Sequence, residues 1–192
     1  MRKIPSIFVR GADGKLTDTP SPSCDWVFRG EGIATRKWDG IPCLVRDGKL
    51  YTRREQAFDF TAPPDWILAG VVGPDSEVLE MGKPKSTWWV PVTDAPEFRW
   101  HNEAWRRQAP MDDGTYELIG PKVNGGNDGR GPLHGLVRHG FESLPGMPDM
   151  SKEFLRGVFS SLHWEGLVFH HPDGRMAKIK ARDLGLPWGK KS

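Results

Sequence analysis

Two cysteines, Cys24 and Cys43, are all that the 192 residues contain. A pair makes no disulfide framework, so the core must be held by packing, and a reducing cytoplasm is the expected compartment. Long hydrophobic runs are missing as well. No apolar stretch approaches the roughly 20 residues that cross a bilayer, and no membrane is expected as a partner. The opening Met1-Arg2-Lys3-Ile4-Pro5 has a basic pair but no apolar core, which is not the pattern of a secretory signal. Charge of one sign is scarce: 27 Lys and Arg against 25 Asp and Glu leave a formal net charge of +2. By itself that balance points to no partner, and any anion site must come from local grouping of Lys and Arg. Internal repeats, low-complexity tracts and long linkers are also absent, so the sequence reads as one domain over 1–192.

What is abundant is punctuation and large rings. The 23 glycines and 17 prolines occupy about one position in five, which disfavours a helical bundle and favours short strands joined by turns. Nine Trp and nine Phe argue against disorder, and the length is enough to bury a core without metal or disulfides. A strand is expected to end over 32–37. Segments 41–46 and 49–53 flank Asp47-Gly48, a hairpin signal, because a type I′ turn needs positive φ at both central residues. Pro42 implies an edge strand or a bulge. Pro63-Pro64-Asp65 opens a short helix over 66–68, followed by a glycine-rich stretch over 69–74. Residues 88–92 read as strand and 96–107 as helix, with Pro in the first turn and Phe98, His101, Ala104 and Trp105 near helical spacing. Strand 116–119 precedes a Gly- and Asn-rich loop, 124–131, read as mobile and able to close over a substrate. The clearest helix is 152–162, with Ser151 as N-cap and Phe154, Leu155, Val158, Phe159 and Leu162 in one stripe. Strands 166–170 and 176–180 flank Pro172-Asp173-Gly174, a second hairpin. The fold class is α+β, with mainly antiparallel strands.

A few polar residues invite chemistry. In Lys37-Trp38-Asp39-Gly40, a nucleophilic lysine would have to be neutral, although its ordinary pKa is about 10.4. Partial burial and neighbouring cations lower that value, and Arg36, Arg53, Arg54, Lys178 and Lys180 are available if the sheets converge. An exposed strand-end lysine before a turn explains the same four residues. In Lys178-Ile179-Lys180, alternation puts both ammoniums on one face and Ile179 inside. A phosphate between the two relieves their repulsion; lysines protecting an edge strand from aggregation are the alternative. Glu117 and Glu165 adjoin apolar strand residues, where a carboxylate accepts from a ribose hydroxyl, holds a hard cation such as Mg²⁺, or pairs with a surface lysine. His170 and His171 point to opposite faces and do not share a metal. Cys24 and Cys43 read as small buried residues, and 125–129 lacks the Lys-Ser/Thr that a phosphate-binding loop requires.

Taken in order, these pieces resemble the covalent nucleotidyltransferase superfamily of ATP-dependent ligases and capping enzymes. Lys37-Trp38-Asp39-Gly40 matches its nucleotidylated lysine motif, Thr52-Arg53 the Ser/Thr-Arg element, and Tyr116-Glu117-Leu118 the third motif. Glu165-Gly166-Leu167-Val168 matches the fourth and Lys178-Ile179-Lys180 the fifth. The stretches 117–120, 133–140 and 165–170, with the tail through Asp183-Leu184-Gly185-Leu186-Pro187-Trp188, are similar to a small RNA ligase family that includes the 5′-to-3′ RNA ligase of vertebrates. The resemblance implies a nucleotidyltransferase (ATP-grasp-like) core of antiparallel sheets with flanking helices. It implies ATP and Mg²⁺ or Mn²⁺ as cofactors, and RNA with 5′-phosphate and 3′-hydroxyl ends as the partner of a protein that can act as a monomer. Lys37, Lys178 and Lys180 become catalytic; Arg36, Arg53, Glu117 and Glu165 join them in binding the nucleotide, and Glu165 serves the metal.

Only twelve residues follow Lys180, so no OB domain is expected after the fifth motif. RNA contacts are then sought among Arg99, Arg106, Arg107, Arg130, Arg138 and Arg182 with exposed Trp, although most of the nine Trp also suit a core. The adenine-stacking residue is sought within 134–139. Gly40 and Gly166 are expected to let a nucleotide approach a bare backbone. A DNA nick ligase, a capping-type guanylyltransferase and an inactive RNA-binding relative are the alternatives. The one-domain build and the tail weigh against the first two, and retention of every motif lysine against the third.

Overall fold

Alternating apolar and polar residues build twelve short strands among the described residues, paired antiparallel, and three helices accompany them. The computed structural model describes residues 4–72, 84–128, 131–144, 146–147 and 149–189. In chain order come β1 (Phe8–Arg10), β2 (Leu16–Pro20), α1 (Asp25–Phe28) and β3 (Ile33–Lys37). Next are β4 (Ile41–Arg46), β5 (Lys49–Ala57), β6 (Ile67–Val72), β7 (Lys85–Pro91), α2 (Arg99–Gln108), β8 (Gly114–Ile119) and β9 (Gly135–Arg138). The chain closes with β10 (Ser143–Leu144), α3 (Lys152–Leu162), β11 (Gly166–His170) and β12 (Met176–Lys180). The class is α+β, as the turn-rich composition predicts. Two compact units divide these elements: Asp39–His139, and Ile4–Trp38 with Gly140–Ser192. Among the described residues no helix is long and apolar enough to cross a membrane.

The Asp39–His139 unit is built on a six-stranded sheet in the order β6-β7-β5-β4-β8-β9. Asp47 (φ 51°) and Gly48 (φ 68°) make the expected turn between β4 and β5. Cys43, Val45, Leu50, Tyr116, Leu118 and Leu136 pack on one face with Ala104 of α2. The helix read over 96–107 is present, entered through a 3-10 turn at Pro96–Phe98. Two expectations are corrected. β4 is a central strand, not an edge; Pro42 is tolerated because its position pairs with Glu117 of β8 while pairing to β5 begins only at Cys43. The helix expected over 66–68 is a turn closed by Trp66 N–H on the Pro63 carbonyl, after which Ile67 to Val72 enter the sheet beside β7. The β-branched residues there favour a pleated partner over a helix. Of the glycine-rich stretch, residues 73 and 74 lie outside the described residues.

In the second unit a four-stranded sheet runs β10-β3-β11-β12, accompanied by the β1-β2 pair. Ala34, Leu167, Phe169, Ala177 and Ile179 face a core completed by Trp26, Val27, Leu155 and Phe159. The outer side of β12 is not open: Lys178 N–H bonds to Pro5 O at 2.9 Å and Ile7 N–H to Lys178 O at 3.0 Å. The lysines of β12 are therefore not needed to guard a bare edge. Helix α3 has its predicted bounds, and Ser151 Oγ accepts the Phe154 N–H at 3.2 Å. Ser151→Ala is expected to lower stability by about 1 kcal/mol; an unchanged midpoint in urea unfolding would contradict this role.

Candidate functional site

The register of the four-stranded sheet sets the first cluster. Gly166, the first residue of β11, pairs with Lys37 of β3 on one side and Lys180 of β12 on the other. Residues paired across strands share a face, so both lysines project together. Glu165, directly before β11 and 4% exposed, meets them. Its Oε2 accepts from Lys37 Nζ at 2.5 Å and its Oε1 from Lys180 Nζ at 2.7 Å. One carboxylate thus bridges two half-buried ammoniums through charge-assisted bonds. The sequence reading expects cations around Lys37; the nearest charged group of opposite sign is this carboxylate. Lys178 lies on the same face, opposite Val168, while Ile179 is buried as predicted.

Arg36 is not brought into this cluster. Alternation turns it to the opposite face of β3, where its guanidinium lies 3.6 Å from the centre of the Trp38 ring and donates to Glu142 Oε2 at 3.1 Å.

The second cluster lies in the Asp39–His139 unit. Buried Glu117 of β8 accepts the Gly40 N–H on Oε1 at 3.2 Å, and its Oε2 is 2.7 Å from His139 Nε2. This role of His139 escaped the sequence reading. Its only signal there is position: it follows β9 two residues after Val137, which pairs with Glu117. Arg53 stands one residue past the Cys43–Thr52 pair, so alternation puts it on the sheet face of Pro42 and Glu117, away from the α2 side. It is half-buried and makes no ion pair with a described residue.

The described part of the loop read as a mobile cover, 124–128, is bonded to the Asp39-Gly40 turn. Asn124 Nδ2 donates to Asp39 Oδ1 and to the Gly40 carbonyl, both at 3.0 Å. Asn127 Nδ2 reaches Asp39 Oδ2 at 2.9 Å, and the Asp39 N–H donates to Asp128 Oδ2 at 2.5 Å. The loop's amides fix the Asp39-Gly40 turn.

Gly40 and Gly166 also have a duty within the fold. A Cβ at Gly40 would overlap the Leu118 carbonyl oxygen, and one at Gly166 the Ile179 carbonyl oxygen. Both glycines are required by neighbouring backbone of their own unit. His134, within the stretch searched for an adenine platform, is buried and stacked on Trp100 at 4.4 Å. Its Nδ1 and backbone N–H both meet the Glu103 carboxylate at 3.0 Å, so it supports α2. None of the nine Trp is exposed; Trp26, Trp38 and Trp89 are buried and the rest half-buried. Arg99, Arg106, Arg107, Arg138 and Arg182 are exposed, whereas Arg130 lies outside the described residues.

Other titratable groups serve the fold. His170 Nε2 lies 2.9 Å from Thr35 Oγ1, while His171 sits between Glu31 and Asp173. Burial pushes both cysteine thiols up, away from nucleophilic use. Burial, with the Arg54 charge adding to it, pushes His101 down to about 4, and its Nε2 lies 3.0 Å from the Thr52 hydroxyl. Among the described residues no group of three or more His, Cys, Asp or Glu is placed to hold a metal.

A family model described as RNA ligase 1 matches residues 106–192, the span holding Glu117, Glu165, Lys178 and Lys180. Over that span the chain is similar to the RNA ligase 1 family. RNA ligase 1 of Rattus norvegicus is 30% identical over 132 residues, covering 52% of this chain and 41% of that protein. For Danio rerio RNA ligase 1 the figures are 36% over 87 residues, 42% and 27%, and for Pongo abelii 35% over 81 residues, 38% and 25%. The chain thus spans from a quarter to about two fifths of the length of these RNA ligase 1 relatives.

Proposed function

We propose that the chain joins RNA 5′-phosphate and 3′-hydroxyl ends with ATP, through a covalent lysyl-AMP, on a nucleotidyltransferase (ATP-grasp-like) core. The observation that carries this reading is the Glu165 carboxylate held between Lys37 and Lys180 at 2.5 and 2.7 Å. Lys37 must lose a proton before it can attack, and Glu165 Oε2 lies within hydrogen-bond range to receive it. The neutral Nζ then attacks the α-phosphorus of ATP; the N–P bond forms, the P–O bond to pyrophosphate breaks, and pyrophosphate leaves. Once Lys37 is consumed as nucleophile, Lys178 and Lys180 remain as a fixed cationic pair to neutralise phosphate charge and orient the leaving group.

The same reading gives Arg53 and Glu117 the ribose and phosphate side of the nucleotide. Arg36 supports β3 through Trp38 and Glu142. In the later steps the RNA 5′-phosphate takes AMP from Lys37, and the RNA 3′-hydroxyl displaces AMP as the phosphodiester forms. Mg²⁺ or Mn²⁺ held through Glu165 and phosphate oxygens would offset charge on those oxygens.

Intact-mass spectrometry after incubation with ATP and Mg²⁺ tests the reading. The expected product carries one AMP, lost in acid and kept in alkali as a P–N bond requires. No adduct, or an adduct formed from GTP in place of ATP, would overturn it.

A further inference from the structure

Phe141 is the most exposed large hydrophobic side chain among the described residues, at 75%. Single exposed apolar residues are ordinary, so exposure alone says little. Its address says more. β10 pairs with β3 through Ser143↔Thr35 and Leu144↔Ala34, and the Arg36 N–H bonds to the Glu142 carbonyl at 2.8 Å. Pairing thus continues back to Glu142, whose carboxylate meets Arg36 on the face away from Lys37. One residue further back, beyond a bend at Glu142, Phe141 follows next to the end of β3. The row across the sheet there reads Lys37, Gly166, Lys180, and Phe141 lies at its Lys37 end, one residue beyond the partner of Arg36.

An exposed aromatic ring at one end of a row of ammoniums matches a single nucleotide's chemistry: a π face for the base, cations for the phosphate. We propose that Phe141 is a stacking platform for the base at an RNA end, setting its phosphate over the lysine row. The proposal rests on the ligase reading above. RNA fits the ring better than the adenine of ATP, because a ring three-quarters open to solvent lines no enclosed pocket, whereas a strand end arrives from solvent. Stacking is tolerant of sequence, so the platform would accept any terminal base.

The test uses the full chain and a fluorescent, 5′-phosphorylated single-stranded RNA, with the AMP adduct measured separately. Phe141→Ala is expected to weaken RNA binding about tenfold, the order that one base stack supplies, and to slow sealing of pre-adenylated RNA alike, while Phe141→Trp retains both. RNA affinity and sealing equal to wild type in Phe141→Ala would overturn the proposal. So would loss of the AMP adduct in parallel with loss of sealing, which would put the ring on the adenine. A wild-type protein that forms no adduct yet binds RNA in a Phe141-dependent way would sink the ligase reading and keep the platform.

Discussion

Lys37→Ala is expected to abolish the AMP adduct, lowering the initial rate of AMP transfer more than about a thousandfold, as loss of a covalent nucleophile does. The fold should tolerate the change. The Lys37 side chain is 22% exposed, and Glu165 keeps its bond to Lys180 when the first lysine is gone. Lys37→Arg makes the stricter test. A guanidinium keeps the positive charge and can still pair with Glu165, but it does not deprotonate and cannot act as the amine nucleophile. Under the proposed chemistry both variants fail alike; a role limited to binding phosphate would leave the arginine variant active. Radiolabelled ATP and a denaturing gel separate the outcomes, and labelling of Lys37→Ala at the wild-type rate would remove Lys37 from the mechanism.

Glu165→Gln is expected to produce the second large effect, and one that acts on stability and chemistry together. The carboxylate is 5% exposed and balances two ammoniums. An amide of the same shape removes that charge and presents its own N–H₂ donor toward one of them. Losing one partner of a buried pair costs about 3–5 kcal/mol, and the partial exposure of the lysines reduces this to about 2–3 kcal/mol. Adduct formation should fall about a hundredfold or more, because the base and the charge balance go together. Urea unfolding measures the first quantity and adduct rate the second. Adding Lys180→Gln to Glu165→Gln removes one of the stranded cations, so stability should partly recover while adenylation stays low. Recovery of both would make Glu165 a purely structural residue.

Both hairpins, the cap and stripe of α3, and the alternation of Lys178, Ile179 and Lys180 were legible in the sequence because each depends on residues a few positions apart. Alternation should also have separated Arg36 from Lys37, since neighbours on a strand point to opposite faces. What stayed hidden depends on register between distant strands. Nothing in residues 36–41 tells that Gly166 pairs with Lys37 and Lys180 at once, or that Glu165 lies between the two. The asparagines of 124–127 look like loop residues until their bonds to Asp39 and Gly40, more than eighty positions away, give them a structural duty. The division of the chain between Trp38 and Asp39 has no Gly-Ser or Pro-rich linker to announce it, because it falls inside a motif. Phe141 was overlooked because tryptophan dominated the search for stacking rings, and all nine tryptophans prove buried or half-buried.

The central claim is that Lys37 is the residue that carries AMP. Peptide mapping by tandem mass spectrometry of wild-type protein, incubated with ATP and Mg²⁺ and kept in alkali, tests it most directly. The account predicts a single modified peptide with AMP on Lys37. AMP on Lys178, Lys180 or any other residue, or no modified peptide at all, would contradict it.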